Sequence, residues 1–188
     1  LWWSPDPRMV LLPNEFRLHR SLRKTLQKFC ADARCEIRID HSFGAVMRAC
    51  AQTPRHHQDG TWIVPDMIEA YEAFHAGGYA HSIETWIDEK LVGGLYCIGL
   101  GRAVFGESMF AHATDASKIA LAALVCLCRH AGVGMIDCQQ NTPHLASLGA
   151  YEISRAQFLQ PVQQAQTTPE IHCPFEPLLC NQLLTIPH

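Results

Sequence analysis

Residues 81–105 have the sequence HSIETWIDEKLVGGLYCIGLGRAVF, and this stretch decides the fold class. The runs over 81–87 and 90–98 have the composition of β-strands, and the two acidic residues between them predict a hairpin turn. A third adjacent strand is predicted over 103–105. The centre of the chain therefore predicts antiparallel strands that form one sheet.

The segments on both sides predict helices that flank this sheet. The apolar segment 117–131 predicts a helix that Asp115 can cap, and a short buried strand is predicted after it over 135–138. The other predicted elements are strands over 9–12 and 36–39, helices over 17–29, 42–51 and 65–76, a short helix within 141–148, and a last helix over 157–164 that begins with a Ser154-x-x-Gln157 capping box. This order predicts an α+β fold with a central mixed, mostly antiparallel sheet flanked by helices.

The composition predicts one globular domain with a tail. The chain has 188 residues, of which 48% are hydrophobic and 18% charged, so it can bury a core without disulfide bonds. We expect the domain to span 1–166 and the proline-rich segment 167–188 to be an irregular tail. The nine cysteines are odd in number and lack a C-x-x-C pair, and the histidines lack helical i, i+4 ligand spacing. The sequence therefore predicts no disulfide framework and no metal site.

No membrane segment is predicted. The longest apolar window, over 119–128, is too short to cross a bilayer. Pro5, Asp6 and Pro7 stand where the apolar core of a signal peptide would have to lie. We therefore expect a cytoplasmic protein without a membrane partner.

Positive charge is concentrated on the predicted helix over 17–29. No acid lies between 17 and 28, and the remaining ten Lys and Arg stand against all eighteen acids of the chain. The basic residues of this segment, here called the cationic cluster, are Arg17, Arg20, Arg23, Lys24 and Lys28. The alternatives are a solvated helix face and a surface for an anionic partner, and the lack of acids to pair with these residues favours the partner.

Two polar positions follow predicted strands. Asp137 and Gln139 end the buried strand after the crossover helix, where ligand sites of such sheets gather, although Asp137 could instead be a structural cap for the loop 140–142. Glu107 stands among apolar residues at 105–110, and an exposed residue on an edge strand is the simpler interpretation.

Aromatic residues and absent motifs narrow the function further. Trp2, Trp3 and Trp62 flank prolines or loop residues and are either rim tryptophans or platforms that stack on a base. Together with the cationic cluster they favour a single-stranded nucleic-acid end. The turn at 111–117 contains no glycine, which argues against the pyrophosphate cradle of an acyl-CoA-dependent acetyltransferase.

A collinear series of motifs resembles one protein family. The motifs, from the N-terminus onward, are WWSPDPR at 2–8, GTWI at 60–63, GYAHSIE at 78–84, LVGGLY at 91–96, GESMF at 106–110, ASK at 116–118, IDCQ at 136–139 and HxxSLGA at 144–150. In this order and spacing they resemble the leucyl/phenylalanyl-tRNA–protein transferases of bacteria, and the resemblance extends to about Tyr151.

The resemblance implies an N-acetyltransferase-like fold and a defined reaction. The family moves Leu, Phe or Met from aminoacyl-tRNA to an acceptor protein that begins with Arg or Lys, which marks the acceptor for degradation, and it uses neither a metal nor an organic cofactor. Matched positions imply that Asp137 and Gln139 are the catalytic pair, that Glu107 lies beside the reacting ester and that Trp62 packs on the terminal adenosine. They also imply a donor pocket formed by Leu95, Met109, Leu121, Leu124 and Ile136, and tRNA phosphates held by the cationic cluster.

Two departures from the family pattern leave other functions open. The small N-terminal domain of the family does not precede WWSPDPR in this sequence, and Leu95 stands where Met can occur. The alternatives are an acyl-CoA-dependent N-acetyltransferase and a non-catalytic tRNA- or peptide-binding remnant. For the transferase we expect a monomer in which Asp137 orients Gln139 and takes up the proton of the amine, unless a substrate hydroxyl relays it.

Overall fold

The structure is a computed structural model that describes residues 4–53, 61–168 and Leu184. Its strands are β1 Arg8–Leu11, β2 Cys35–Ile39, β3 Ala80–Ile87, β4 Lys90–Leu100, β5 Ala103–Ala111, β6 Ile136–Gln139 and β7 Tyr151–Ile153. Its α-helices are α1 Arg20–Ala31, α2 Phe43–Gln52, α3 Pro65–Ala76, α4 Ala116–His130, α5 Pro143–Ser147 and α6 Arg155–Gln166, and a 3-10 turn covers Pro13–Glu15. Most of the predicted tail, 167–188, lies outside the described residues.

The strands form one seven-stranded sheet in the order β2-β3-β4-β5-β6-β1-β7. The β3–β4 hairpin turns at Asp88 and Glu89, which both have left-handed φ angles, and β5 pairs with β6 in parallel after the α4 crossover. The other pairings are antiparallel. The predicted α+β class with a mixed, mostly antiparallel sheet is confirmed, and the arrangement agrees with the implied N-acetyltransferase-like fold.

Helices cover both faces of the sheet. On one face α4 buries ten residues, and with α1 it packs over a core that includes Ile83 and Leu95. Gly93 lets this helix approach, because a Cβ at that position would overlap Ala116. On the other face α2 packs over Tyr96 and Phe110, and α6 packs over β1 and β5.

Several local predictions are wrong in their details. Asp115 occupies the N-cap position of α4, but its side chain makes no capping hydrogen bond, because its backbone is left-handed and its carboxylate accepts hydrogen bonds from Lys118 and Thr25. α1 begins at Arg20, three residues later than predicted, because the amide of Arg17 donates to the carbonyl of Leu148 at 2.9 Å. β5 continues to Ala111 instead of ending at 105, and β7 was not predicted.

Within the described ranges, none of the helices has both the length and the apolar character needed to cross a membrane.

Candidate active site

Parallel pairing of β5 and β6 brings the predicted polar residues together. Val104 pairs with Ile136 and Phe105 with Asp137, so the same register places Glu107 opposite Gln139. The side chain of Gln139 lies near the Glu107 carboxyl and lowers its pKa. Two polar positions that are 32 residues apart in the sequence therefore meet where the last residue of β6 lies beside the middle of β5.

Asp137 is fully buried and bonded on both carboxylate oxygens. Its side chain is 1% exposed, and the Arg8 guanidinium donates from Nε to Oδ1 at 2.9 Å and from Nη2 to Oδ2 at 2.5 Å. Oδ1 also accepts the backbone N–H of Gln139 at 3.0 Å. A buried carboxylate is stable only with such partners. Asp137 thus caps a turn from within β6, but the turn is at Gln139 and not at 140–142 as predicted.

Gln139 ends β6 in a left-handed backbone conformation, with φ of 61°. This conformation costs a non-glycine residue about 1 kcal/mol or more, so it persists only where neighbouring groups hold it. The hydrogen bond from its amide to Asp137 is one such group. The turn therefore fixes the direction in which the Gln139 amide side chain leaves the strand.

Glu107 is a half-buried residue on a central strand, so its interpretation as an exposed edge residue is wrong. The hydroxyl of Tyr71 on α3 donates to Glu107 Oε2 at 3.0 Å. Burial raises the pKa of the Glu107 carboxyl and the charge of Asp137 adds to the rise, while hydrogen bonds from Tyr71 and Gln139 oppose it. A carboxylate with a raised pKa is a stronger base than an exposed one.

The raised pKa of Glu107 predicts how stability depends on pH. Folding favours its neutral form, so this contribution to stability is complete below the unfolded-state pKa and is lost as the pH rises through the higher folded-state pKa. Glu107→Gln keeps an acceptor for Tyr71 and stays neutral, so it should gain stability relative to the parent between mildly acidic and neutral buffer. Urea unfolding at both pH values measures this change. Glu152→Gln, at an exposed site on β7, controls for loss of a negative charge. An identical difference at both pH values for Glu107→Gln would contradict the argument.

The five predicted donor-pocket residues meet in one hydrophobic cluster. Leu95, Leu121, Leu124 and Ile136 are at most 4% exposed, and Met109 packs against them. Leu95 and Met109 face each other across β4 and β5. Ile136 belongs to this cluster under α4, whereas Asp137, the next residue of β6, points to the other face of the sheet, where its partner Arg8 lies over Phe158 of α6.

The predicted aromatic platform is described only in part. Trp2 and Trp3 lie outside the described residues. Trp62 precedes α3 and is 42% exposed, whereas its neighbour Ile63 is buried. Trp62 is therefore accessible to a partner.

The members of the cationic cluster differ in exposure and in their contacts. Leu22, Leu26 and Phe29 bury the apolar side of α1. Arg20, Lys24 and Lys28 are exposed, and among the described residues none of the three forms an ion pair. Arg23 is half-buried and donates to the carbonyl of Leu184 at 2.6 Å. Arg17 is exposed but lies before the helix.

A cavity of about 480 Å³ lies between the sheet and α6. Its lining is mostly apolar and includes Val10, Phe105, Val162 and Asp137, but neither Glu107 nor Gln139. The bonded polar groups rather than this cavity therefore define the candidate site.

Sequence reasoning missed two residues of the polar network. Arg8 belongs to a quoted motif, but nothing in its local pattern pairs it with a strand 129 positions away. Tyr71 lies on a helix whose apolar spacing favours a packing role, and only the fold brings its hydroxyl to Glu107.

Comparisons with known proteins match one family over most of the chain. The family model described as leucyl/phenylalanyl-tRNA protein transferase matches residues 10–163. Relatives with this name are found in a Polaromonas species, at 63% identity over 98% of this chain and 72% of the relative, and in Methylibium petroleiphilum, at 63% identity over 84% and 60%. A Burkholderia vietnamiensis relative of the same name is 58% identical over 94% of this chain and 69% of its own. The chain spans 60–72% of the length of these three relatives.

A distant similarity to solved structures is illustrated by one of them. It is a functionally unknown conserved protein from Staphylococcus epidermidis, with a TM-score of 0.44 and 9% identity over 79% of this chain and 57% of that chain. A similarity at this level carries no information about function.

Proposed function

The chain belongs to the leucyl/phenylalanyl-tRNA–protein transferase family, and we propose that it moves Leu, Phe or Met from aminoacyl-tRNA to the α-amine of a protein that begins with Arg or Lys. The product carries one added residue and is marked for degradation. The observation that carries the proposal is the meeting of Asp137, Gln139 and Glu107 on the adjacent strands β5 and β6.

The reaction needs little more than positioning and a route for one proton. The donor is an activated ester, in which the bond from the carbonyl carbon to the ribose oxygen breaks while a bond to the acceptor nitrogen forms. The amine loses a proton and the leaving ribose oxygen gains one. Catalysis therefore requires an aligned amine, a proton acceptor and hydrogen-bond donors for the developing oxyanion.

We assign the amine contact to Gln139, whose side-chain carbonyl can accept a hydrogen bond from the attacking nitrogen. Asp137 orients this residue through the backbone N–H of Gln139. The two guanidinium donors occupy both oxygens of Asp137, which makes it a poor proton acceptor. Glu107 fits that role better, because its pKa is raised by burial and it lies near the side chain of Gln139. A hydroxyl of the substrate ribose is the alternative relay.

We propose that the donor side chain enters among Leu95, Met109, Leu121, Leu124 and Ile136. An apolar pocket of this composition should accept unbranched and γ-branched side chains and resist Val and Ile, whose β-branch crowds its entrance. Such discrimination is worth about 1–3 kcal/mol.

Competition between donors tests this pocket. With equal amounts of Leu-tRNA and Val-tRNA, we expect leucyl product to exceed valyl product by about 5- to 150-fold. The measurement is the ratio of the two products by mass spectrometry. Phe-tRNA against Leu-tRNA is the control pair, and its two products should differ by less than about fivefold. Equal use of Val and Leu would contradict the assignment.

Phosphates of the tRNA acceptor stem are proposed to lie on the exposed members of the cationic cluster, Arg20, Lys24 and Lys28. Trp62 is proposed to pack on the terminal adenosine. We further propose that the protein acts as a monomer, since one chain supplies every group of the site, and in the cytoplasm, where aminoacyl-tRNA is present.

An acyl-CoA-dependent acetyltransferase remains the second candidate because the fold class is shared. The carboxylate of Asp115 stands at the start of α4, where a pyrophosphate would need backbone donors and no negative charge. Equilibrium binding of coenzyme A separates the two functions. We expect no saturable binding, and saturable binding would favour the acetyltransferase.

A further inference from the structure

Arg8 connects the start of β1 to the strand that carries the proposed catalytic pair. β1 runs antiparallel to β6, with Met9 opposite Gln139 and Val10 opposite Asp137. The register shifts between Met9 and Val10. Such a bulge redirects the preceding side chain, and here Arg8 reaches Asp137 with two donors.

The guanidinium is itself held in place by two further groups. Nη1 donates to Ser4 Oγ at 3.1 Å, and the planar group lies over the Phe158 ring of α6, 5.0 Å from its centroid. Its side chain is only 12% exposed. The two donors of Arg8 to Asp137, Nε and Nη2, are here called the Arg8 fork. The position and plane of this fork are therefore fixed before any substrate binds.

The Arg8 fork pairs with the charge of Asp137 and also fixes the orientation of its carboxylate. Two parallel hydrogen bonds set the plane of the Asp137 carboxylate, which a single ammonium group cannot do. That plane directs Oδ1 towards the amide of Gln139, and this hydrogen bond holds the left-handed turn.

We propose that Arg8 is a positioning residue of the transferase, which acts on the reaction through Asp137 and Gln139 and touches neither substrate. This inference rests on the proposed function. It predicts that a change at Arg8 lowers the turnover number while leaving the KM for aminoacyl-tRNA unchanged, because the binding surfaces on α1 and at Trp62 are elsewhere.

A double-mutant cycle between Arg8→Lys and Asp137→Asn tests the connection. Arg8→Lys keeps the charge but removes the fork, and we expect kcat to fall about 10- to 100-fold from misalignment of the reacting groups. In the Asp137→Asn background, the same change at Arg8 should alter kcat by no more than about twofold. Arg38→Lys is the matched control. The Arg38 guanidinium bonds Glu36 and Glu89 and lies over Trp86 near the other end of the sheet, so its kcat should be parental.

A second variant provides the test if Arg8→Lys fails to fold. Phe158→Leu keeps an apolar contact but removes the ring face below the guanidinium, and it should lower kcat about two- to fivefold in the parent. In the Asp137→Asn background, Phe158→Leu should not lower kcat further.

The outcomes separate the inference from the proposed function. The positioning role of Arg8 is overturned if the losses in kcat multiply in the double variants, or if Arg8→Lys and Phe158→Leu both keep the parental kcat. Neither outcome affects the proposed function. A parental kcat for Asp137→Asn overturns the proposed catalytic pair, and the role of Arg8 with it.

Discussion

Replacing Asp137 with Asn or Gln139 with Ala should slow aminoacyl transfer by about 30- to 1000-fold. Loss of one positioned polar group in a site shielded from water raises the barrier by about 2–4 kcal/mol. Asn at 137 cannot accept both donors of the Arg8 fork, and Ala at 139 removes the amide that meets Glu107. Single-turnover transfer of Phe measures the effect, and filter binding of Phe-tRNA should show nearly unchanged affinity.

Two exposed positions provide matched controls for these variants. Gln140→Ala is the same change one residue further along the chain, and Asp88→Asn changes an exposed acid in the β3–β4 turn. Both should transfer at the parental rate. If Asp137→Asn and Gln139→Ala also did so, the pair would be structural only.

Loss of Arg20 and Lys24 together should weaken tRNA binding and flatten its dependence on salt. Each phosphate contact that is lost should reduce the slope of log affinity against log salt by roughly 0.7 to 0.9. Both side chains are exposed, whereas Arg23 is engaged with the carbonyl of Leu184 and is left unchanged. Because phosphate contacts carry no sequence information, the loss should be similar for Leu-tRNA and Phe-tRNA.

A short substrate isolates the role of the helix. Arg20→Ala with Lys24→Ala should transfer from an aminoacyl-adenosine analogue at nearly the parental rate, since the analogue has no stem phosphates. Lys90→Ala with Arg102→Ala removes the same charge at exposed positions outside α1 and should leave the salt slope unchanged. Equal failure of the α1 double variant with tRNA and with the analogue would show that these residues support the fold.

Local patterns predicted those parts of the fold that local interactions determine. The helix over 65–76 has the predicted bounds, since Pro65 begins it, and the capping box of Ser154 and Gln157 is present at the start of α6. The hairpin after Ile87 likewise follows from turn-forming residues between two strands. These features need no information from distant parts of the chain.

Features that depend on distant partners could not be predicted from local sequence. Asp115 has the residue type of a helix cap, but its carboxylate accepts a hydrogen bond from Thr25, 90 positions away, as well as one from Lys118, and none from the helix backbone. β7 is three residues long and exists because β1 pairs with it across most of the chain.

The residues of the candidate site could be identified from the sequence, whereas the contacts between them required the structure. The resemblance marked Asp137, Gln139 and Glu107, and the parallel register of β5 and β6 brings them together. Asp137 was expected both to orient Gln139 and to take up the proton, and the Arg8 fork, which occupies both of its oxygens, supports the first role over the second in the proposed mechanism. That these three residues act on an aminoacyl ester is part of the proposed function.

The most direct test follows the mass of a peptide that begins with Arg. The peptide is incubated with this chain and Leu-tRNA, in parallel with acetyl-CoA, and with an N-acetylated copy of the same peptide as the control. The account predicts that only the free peptide with Leu-tRNA gains mass, by one leucyl residue at its N-terminus, and that Asp137→Asn strongly slows this gain. Acetylation of the peptide, or no leucyl product from a folded chain that binds Leu-tRNA, would contradict it.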